Sequence, residues 1–275
     1  MWEIRERDGS REMFIDTPVP MTYALREPET DWPHLGAIMM DMDGSSTDTE
    51  KLVLEAMRQM MADALGDPGF RFKDEDYPHI IGDSTTNHLR WLLPHYGIPV
   101  DDLLGHMANY YASYHQTLRD IRDGKITEHL IEPMPHLRGF LEWAKGRRIR
   151  VGLVTSSLQC EVDIVMPEVF RGMGLGPNHN AFYDGVIAAD AVGEPFLKPH
   201  PNLYILMRET LGVPPERCLV IEDSTAGIAA GRLAGCAVAA VPHPHTRAHR
   251  FELANVGVFP GGLVEVEARL RELMG

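Results

Sequence analysis

Gly36-Ala-Ile-Met-Met40, followed at once by Asp41-Met-Asp43-Gly44, is the stretch that decides the reading of this chain. Its apolar half has the length of a buried strand, and residues two apart on an extended chain point the same way. Asp41 and Asp43 therefore share one face. Two carboxylates held together at the carboxyl end of a strand repel each other, so they make chemical sense with a cation, a shared proton, or both. Taken alone, the segment is equally compatible with a strand-ending turn of solvated aspartates, since Asp and Gly are ordinary turn residues.

Three further segments shift that balance. Arg150-Val-Gly-Leu-Val-Thr155-Ser156-Ser157 is a second apolar run that ends in hydroxyls, and Cys218-Leu-Val-Ile-Glu222-Asp223-Ser224 is a third that ends in acids. Lys198-Pro199-His200-Pro201 lies between them. In these four segments and their order the sequence resembles the haloacid dehalogenase-like superfamily of phosphohydrolases, in the branch with a helical cap inserted after the first motif. The similarity runs from about Leu35 to Val241. Between the motifs, Pro133-Met-Pro135 and the helical stretch His136 to Lys145 resemble the family's return from cap to core. Phe182-Tyr-Asp184-Gly185-Val186 and Asp190-Ala-Val192-Gly193 resemble its approach to the lysine motif. Ala226-Gly-Ile-Ala-Ala-Gly231-Arg232-Leu-Ala-Gly235 reads as a small-residue helix packed close to a sheet.

Strand candidates at Gly36 to Met40, Arg148 to Val154, Cys218 to Ile221 and Ala237 to Val241 alternate with helical stretches, the mark of a parallel sheet covered on both faces. Such sheets bind ligands at the carboxyl ends of their strands, where each of the proposed segments lies. Between Glu50 and Glu132 the pattern is helical without clear strands. Val53, Ala56, Met57, Met60 and Met61, and then Leu104, Met107, Tyr111, Tyr114, Leu118 and Ile121, recur at helical spacing and read as packing stripes. The expected fold is α/β, a Rossmann-like doubly wound parallel sheet with an inserted α-helical cap domain. The expected divisions are an N-terminal extension (1–33), a core (34–49 and 134–275) and a cap (50–133). Pro18, Pro20, Pro28 and Pro33 argue against a long helix in the extension, which would wrap the core or join a dimer partner. The acidic run Lys73-Asp-Glu-Asp-Tyr77 reads as a solvated connection.

At 275 residues the chain can bury a full core and carry a second, smaller domain. Its formal charge of −14 argues against nucleic acid, which demands a basic face. A small phosphorylated metabolite remains compatible, provided a cation and a placed lysine make the local field positive. No apolar run approaches the ~20 residues that span a bilayer, and Met-Trp-Glu-Ile-Arg-Glu-Arg-Asp does not resemble a secretion signal. The expectation is a cytoplasmic enzyme, monomeric or homodimeric, with no membrane partner. Cys160, Cys218 and Cys236 lack metal-type spacing and read as reduced, buried small residues.

The resemblance implies a chemistry residue by residue. Asp41 would attack phosphorus to form an aspartyl phosphate, and Asp43 would protonate the leaving oxygen and then activate water. Thr155 and Lys198 would complete the catalytic set, with Gly44, Thr155, the Ser156 N–H and Lys198 binding the substrate phosphate. Mg2+ would be held by Asp41, Asp43 through its backbone carbonyl, Glu222 and Asp223, with Glu222 either a direct ligand or one acting through water. Asp48, in Thr47-Asp-Thr-Glu50, reads as a cap of the following helix. The implied function is Mg2+-dependent hydrolysis of a sugar phosphate or an organic acid phosphate.

A sugar-phosphate mutase is the rival within the superfamily. It would carry a histidine a few residues into the cap and basic residues in the cap loop, whereas this chain has Val53 and Ile81-Gly82-Asp83-Ser84-Thr85. A dehalogenase would need neither Asp43 nor the acids, and a phosphonate hydrolase would need another residue at position 43. A noncatalytic phosphate-ligand binding protein is the rival from another class, distinguished by metal dependence. Two departures from the family pattern stand out: Ser45-Ser46-Thr47 where apolar residues are usual, and Asn202 where Asp is common. Pro242-His243-Pro244-His245 and His249 read as a surface loop rather than a metal tract.

Overall fold

The computed structural model describes every residue except Met1, Asp8, Thr17, Pro18, 81–84, Pro244, His245 and 247–249; for Pro78 and His179 it describes the backbone only. The chain packs as two compact units. The first contains Met1–Thr47 and Pro133–His243 together with the C-terminal segment, and the second contains Asp48–Glu132.

At the centre of the first unit lies β4 (Ala37–Asp41), all five residues of which are buried. It is flanked by β5 (Arg150–Val154) and then β6 (Gly185–Ile187) on one side, and by β7 (Cys218–Glu222), β8 (Ala237–Ala240) and β9 (Gly257–Val258) on the other. The six strands run parallel in the order β9-β8-β7-β4-β5-β6. The chain moves outward from β4 to β6 and then crosses back to β7, so the direction of winding reverses beside β4. In a doubly wound sheet that reversal opens a crevice at the carboxyl ends of the strands. Asp41 is the last residue of β4, Thr155 follows β5, and Glu222 ends β7.

A sheet buried on both faces needs continuous apolar strands rather than alternating ones, which is what Ala37-Ile-Met-Met40 and Cys218-Leu-Val-Ile221 supply. Ala37, Met39, Val154, Val220 and Val238 face one hydrophobic core with α6 (Asn202–Leu211) and α7 (Thr225–Leu233). Along α7, a Cβ at Gly231 would stand 3.0 Å from the side chains of Val220 and Val238, so the helix lies on the sheet because it lacks one. The alternate strand residues are equally buried on the other face. There α4 (Leu137–Gly146) packs against β5 and α8 (Leu263–Met274) packs against α4. α5 (Gln159–Gly172) follows the Thr155 turn.

The N-terminal extension is more regular than its prolines predict. It forms an antiparallel sheet of β1 (Trp2–Arg7), β2 (Ser10–Ile15) and β3 (Met21–Ala24). Pro20, Pro28 and Pro33 fall outside these strands, where a missing N–H breaks no ladder. Trp2, Met13, Ile15 and Leu25 join the same core as Met39 and Val220, so the extension packs onto the parallel-sheet layer.

In the second unit, α1 (Glu50–Leu65) packs against α3 (Leu103–Arg122), and α2 (Thr85–His95) packs against α3. Met57, Met60 and Met61 are buried as the stripe on α1 predicts. On α3 the buried face is offset: Tyr110, Tyr114, Thr117 and Leu118 are inside, while Leu104 is 79% and Tyr111 47% exposed. The spacing i, i+4, i+7, i+8 defines either face of that helix, and packing against α1 selects one. Asp48 accepts the Glu50 N–H at 3.1 Å, at the start of α1. The acidic run departs most sharply from expectation, because Asp76 is completely buried.

Candidate active site

Every candidate catalytic, phosphate-binding and metal-holding residue of the sequence analysis lies in the first unit. Asp41, Glu222 and Asp223 are buried, and each offers a carboxylate oxygen within 4.8 Å of the others. One cation stands among them. The Lys198 ammonium donates to Asp41 Oδ1 at 2.5 Å, to Glu222 Oε1 at 2.7 Å and to the Val154 carbonyl at 3.0 Å, using all three of its protons. Its side chain is only 6% exposed.

Burial and the neighbouring Glu222 push the Asp41 carboxyl well above its usual range, with Asp223 and Asp43 adding to the effect and Lys198 opposing it. For Lys198, burial favours the neutral amine, but the Asp41 and Glu222 carboxylates more than compensate and leave it raised. The cluster holds more negative charge than one ammonium neutralises.

Glu222 is held on every side. Its Oε1 accepts from Lys198 and from the Tyr204 hydroxyl at 2.8 Å, and its Oε2 accepts from the Ser224 hydroxyl at 3.0 Å and the Ser224 N–H at 3.3 Å. Tyr204 went unremarked in the sequence. It lies six residues beyond Lys198, on the first turn of α6, and neither a motif nor an apolar period distinguishes it from a core tyrosine. Ser157, which closes the second apolar segment and has no role implied by the resemblance, donates its hydroxyl proton to Asp43 Oδ2 at 3.0 Å.

Asp43 is half-buried in the turn after β4, where it bridges to Thr47. Gly44 has φ of 79° there, and a Cβ would collide with the Asp223 carboxylate, so this position requires glycine on both counts. The three hydroxyl residues that depart from the family pattern are all buried. Ser46 Oγ donates to the Asp41 carbonyl at 2.6 Å and Thr47 Oγ1 to the Met42 carbonyl at 3.1 Å. Their side chains satisfy the strand end from within, where apolar residues would have left those carbonyls to other donors.

Thr155 is buried, and its Oγ1 accepts the Ser157 N–H at 2.9 Å, which leaves the hydroxyl proton available to an oxygen placed in the crevice. Ser156 is exposed. His200, inside the lysine motif, is buried and its Nδ1 lies 2.8 Å from the Tyr23 hydroxyl of β3. Cys218 and Cys236 are buried free thiols, but Cys160 is exposed on α5, contrary to the reading of it as a buried small residue. His243 is buried rather than on a surface loop; His245 and His249 lie outside the described residues, as do positions 81–84 of the cap-loop segment.

The arrangement is that of a strand-end carboxylate with a lysine, a hydroxyl and further acids gathered at one edge of a parallel sheet. The sequence matches the haloacid dehalogenase-like hydrolase family over residues 35–235. This chain belongs to the haloacid dehalogenase-like hydrolases. Among its relatives in that family is the phosphorylated carbohydrates phosphatase of Thermotoga maritima, 30% identical over 72% of this chain and 81% of the relative. The fructose-1-phosphate phosphatase YqaB of Escherichia coli is 28% identical, covering 72% of this chain and 92% of the relative. The structure of CbbY from Rhodobacter sphaeroides in complex with phosphate superposes with a TM-score of 0.61 over 86% of this chain and 99% of that one, at 24% identity, and shares the fold. As a family member, the protein is a hydrolase. Among the described residues, no helix is long and apolar enough to cross a membrane.

Proposed function

We propose that the protein is a Mg2+-dependent phosphatase of small phosphorylated metabolites, sugar phosphates foremost, working through a phosphoaspartate at Asp41. The observation that carries this reading is the buried set of Asp41, Glu222 and Asp223 around a single lysine, beside a Thr hydroxyl with a free proton. The named phosphatase relatives support the substrate class.

The donor set fits Mg2+. The available side-chain ligands are carboxylate oxygens, which favour a hard cation, and the burial and neighbouring carboxylates that raise the Asp41 carboxyl are offset by one. Asp41 and Asp223 would hold the ion through their side chains and Asp43 through its backbone carbonyl. Glu222, with both oxygens already engaged, would add its charge and hold Lys198 in place. When bound, the ion supplies positive charge to the phosphoryl group.

The protein's own groups do the rest. Lys198, kept protonated by two carboxylates, and the Thr155 hydroxyl, with the Ser156 N–H, draw the phosphate anion against the acids that would otherwise repel it. An Asp41 oxygen forms a bond to phosphorus as the ester P–O bond breaks, and Asp43 delivers its proton to the departing alkoxide. Water then attacks phosphorus, Asp43 takes up its proton, and Asp41 is released with inorganic phosphate. Ser157, donating to Asp43 Oδ2, orients that carboxyl for both transfers. Selection among esters is assigned to the helical unit, Asp48–Glu132.

Phosphate release from a panel of sugar phosphates and organic acid phosphates tests this reading. Release is expected with Mg2+, and a fall of at least about 10³-fold with chelator or in Asp41→Asn, in line with loss of a covalent nucleophile. Release that survives Asp41→Asn would overturn the covalent route. Isomerisation of a sugar phosphate without net release would establish the mutase instead.

A further inference from the structure

We propose that the helical unit carries a second divalent-cation site, formed by Glu75, Asp76 and His95 and suited to a transition metal such as Zn2+. The starting observation is the burial of Asp76 inside a segment whose composition predicts solvent. One of its oxygens is satisfied: Oδ2 accepts the Lys73 N–H at 2.8 Å and the Tyr96 hydroxyl at 2.5 Å. The other is not. Asp76 Oδ1 is buried and receives no hydrogen bond, although His95 Nε2 stands 3.3 Å away, out of alignment for one. The Glu75 carboxylate completes a group whose ligand atoms all lie within 4.8 Å of one another.

An imidazole nitrogen and a buried carboxylate oxygen that stand 3.3 Å apart without a shared hydrogen bond can both turn a lone pair to one cation. A carboxyl oxygen buried without a hydrogen bond is costly, and the cost is removed when that oxygen coordinates a metal. The nearby ammonium of Lys73 turns instead to Glu75, at 3.5 Å in solvent. His95 is held ready, its ring stacked on Trp91 at 4.5 Å, and Trp91 stacked in turn on His79 at 4.1 Å. A fixed imidazole loses little freedom on binding a metal. One nitrogen and two carboxylates suit a borderline cation with water in the remaining position, whereas Ca2+ and Mg2+ prefer oxygen-only sets. The approach is open, since the side chains of Glu75 and His95 are 67% and 34% exposed. The bound ion would join the segment before Tyr77 to the last turn of α2.

The experiment is a Zn2+ titration by calorimetry on the metal-stripped full chain, with excess Mg2+ present to fill the core acids, alongside His95→Gln and Glu75→Gln. Both side chains are partly exposed, so both variants are expected to fold. One equivalent of Zn2+ is expected to bind the wild type and raise its melting temperature, with affinity falling at least 10-fold in each variant. Co2+ in place of Zn2+ should give visible absorption bands that His95→Gln loses. Absence of stoichiometric binding to the wild type would overturn the proposal. So would equal binding by wild type and both variants, because that would place the ion elsewhere among the 13 histidines.

Discussion

Gly44 has room for a hydrogen and nothing larger, since its φ is 79° and the Asp223 carboxylate occupies the place of a Cβ. Gly44→Ala is expected to move the Asp43 turn against Asp223, reducing kcat/KM for phosphate release by about 10²-fold, the cost of a misplacement near 1 Å. A steady-state assay with a melting curve checks this, and an unchanged rate would separate the turn from the reacting centre. Tyr204 acts one layer further back. Removing its hydroxyl in Tyr204→Phe leaves Glu222 one donor short, which should destabilise the fold by about 1.5–3 kcal/mol, the range for hydrogen bonds to charged groups. It should also raise the Mg2+ concentration for half-maximal activity by about 10-fold, because Glu222 then holds Lys198, and through it the Asp41 carboxylate, less firmly. A Mg2+ titration of activity at fixed substrate reads the second effect separately from the first.

The N-terminal sheet is an element that the parallel-sheet core uses, not an appendage. Ile15 in β2 is fully buried in the cluster that contains Met39, Tyr204 and Val220. Ile15→Ala is therefore expected to cost about 2–5 kcal/mol, the range for truncating a core aliphatic residue, measured as a lower urea midpoint at unchanged slope. A sheet that merely rested on the surface would give less than about 0.5 kcal/mol. The three segments that ended in Asp41, Thr155 and Glu222 could be read from the sequence because a strand buried on both faces leaves an unbroken apolar run, and a polar residue at or immediately after its end marks the crevice. β1 to β3 could not be read that way: they are short strands of mixed polar and apolar residues, such as Ser10-Arg-Glu-Met-Phe-Ile15, and what buries them is a core built from residues distant in sequence, Met39 and Val220 among them.

Across the whole molecule, several buried groups hold their protons more tightly folded than unfolded. Burial raises the Tyr96, Tyr183 and Tyr204 hydroxyls, with Asp76 adding to the first and Glu222 to the last, and Lys198 is raised by its carboxylates against the opposing effect of burial. A raised folded pKa contributes stability that is fully present below the unfolded value and lost as pH rises through the folded one. The contribution of these four groups should therefore hold up to about pH 10, the unfolded range of Tyr and Lys, and fall above it. Urea unfolding between pH 9 and 11 checks this, and Tyr204→Phe should fall less steeply than wild type. A flat profile would show that these groups are more accessible than their burial implies.

The sequence by itself determined the family and the parallel α/β core, because apolar runs that end in polar residues recur in a definite order; the same order carries the resemblance from which the roles of Asp41, Thr155, Lys198, Glu222 and Asp223 are proposed. Only the tertiary structure decided which face of α3 is buried, that β1 to β3 join the core, that Tyr204 and Ser157 hold Glu222 and Asp43, and that Asp76 lies inside an acidic run. The reason is the same in each case. Composition and spacing report what a segment can bury, whereas burial and hydrogen-bond partners are settled by residues that lie far away along the chain.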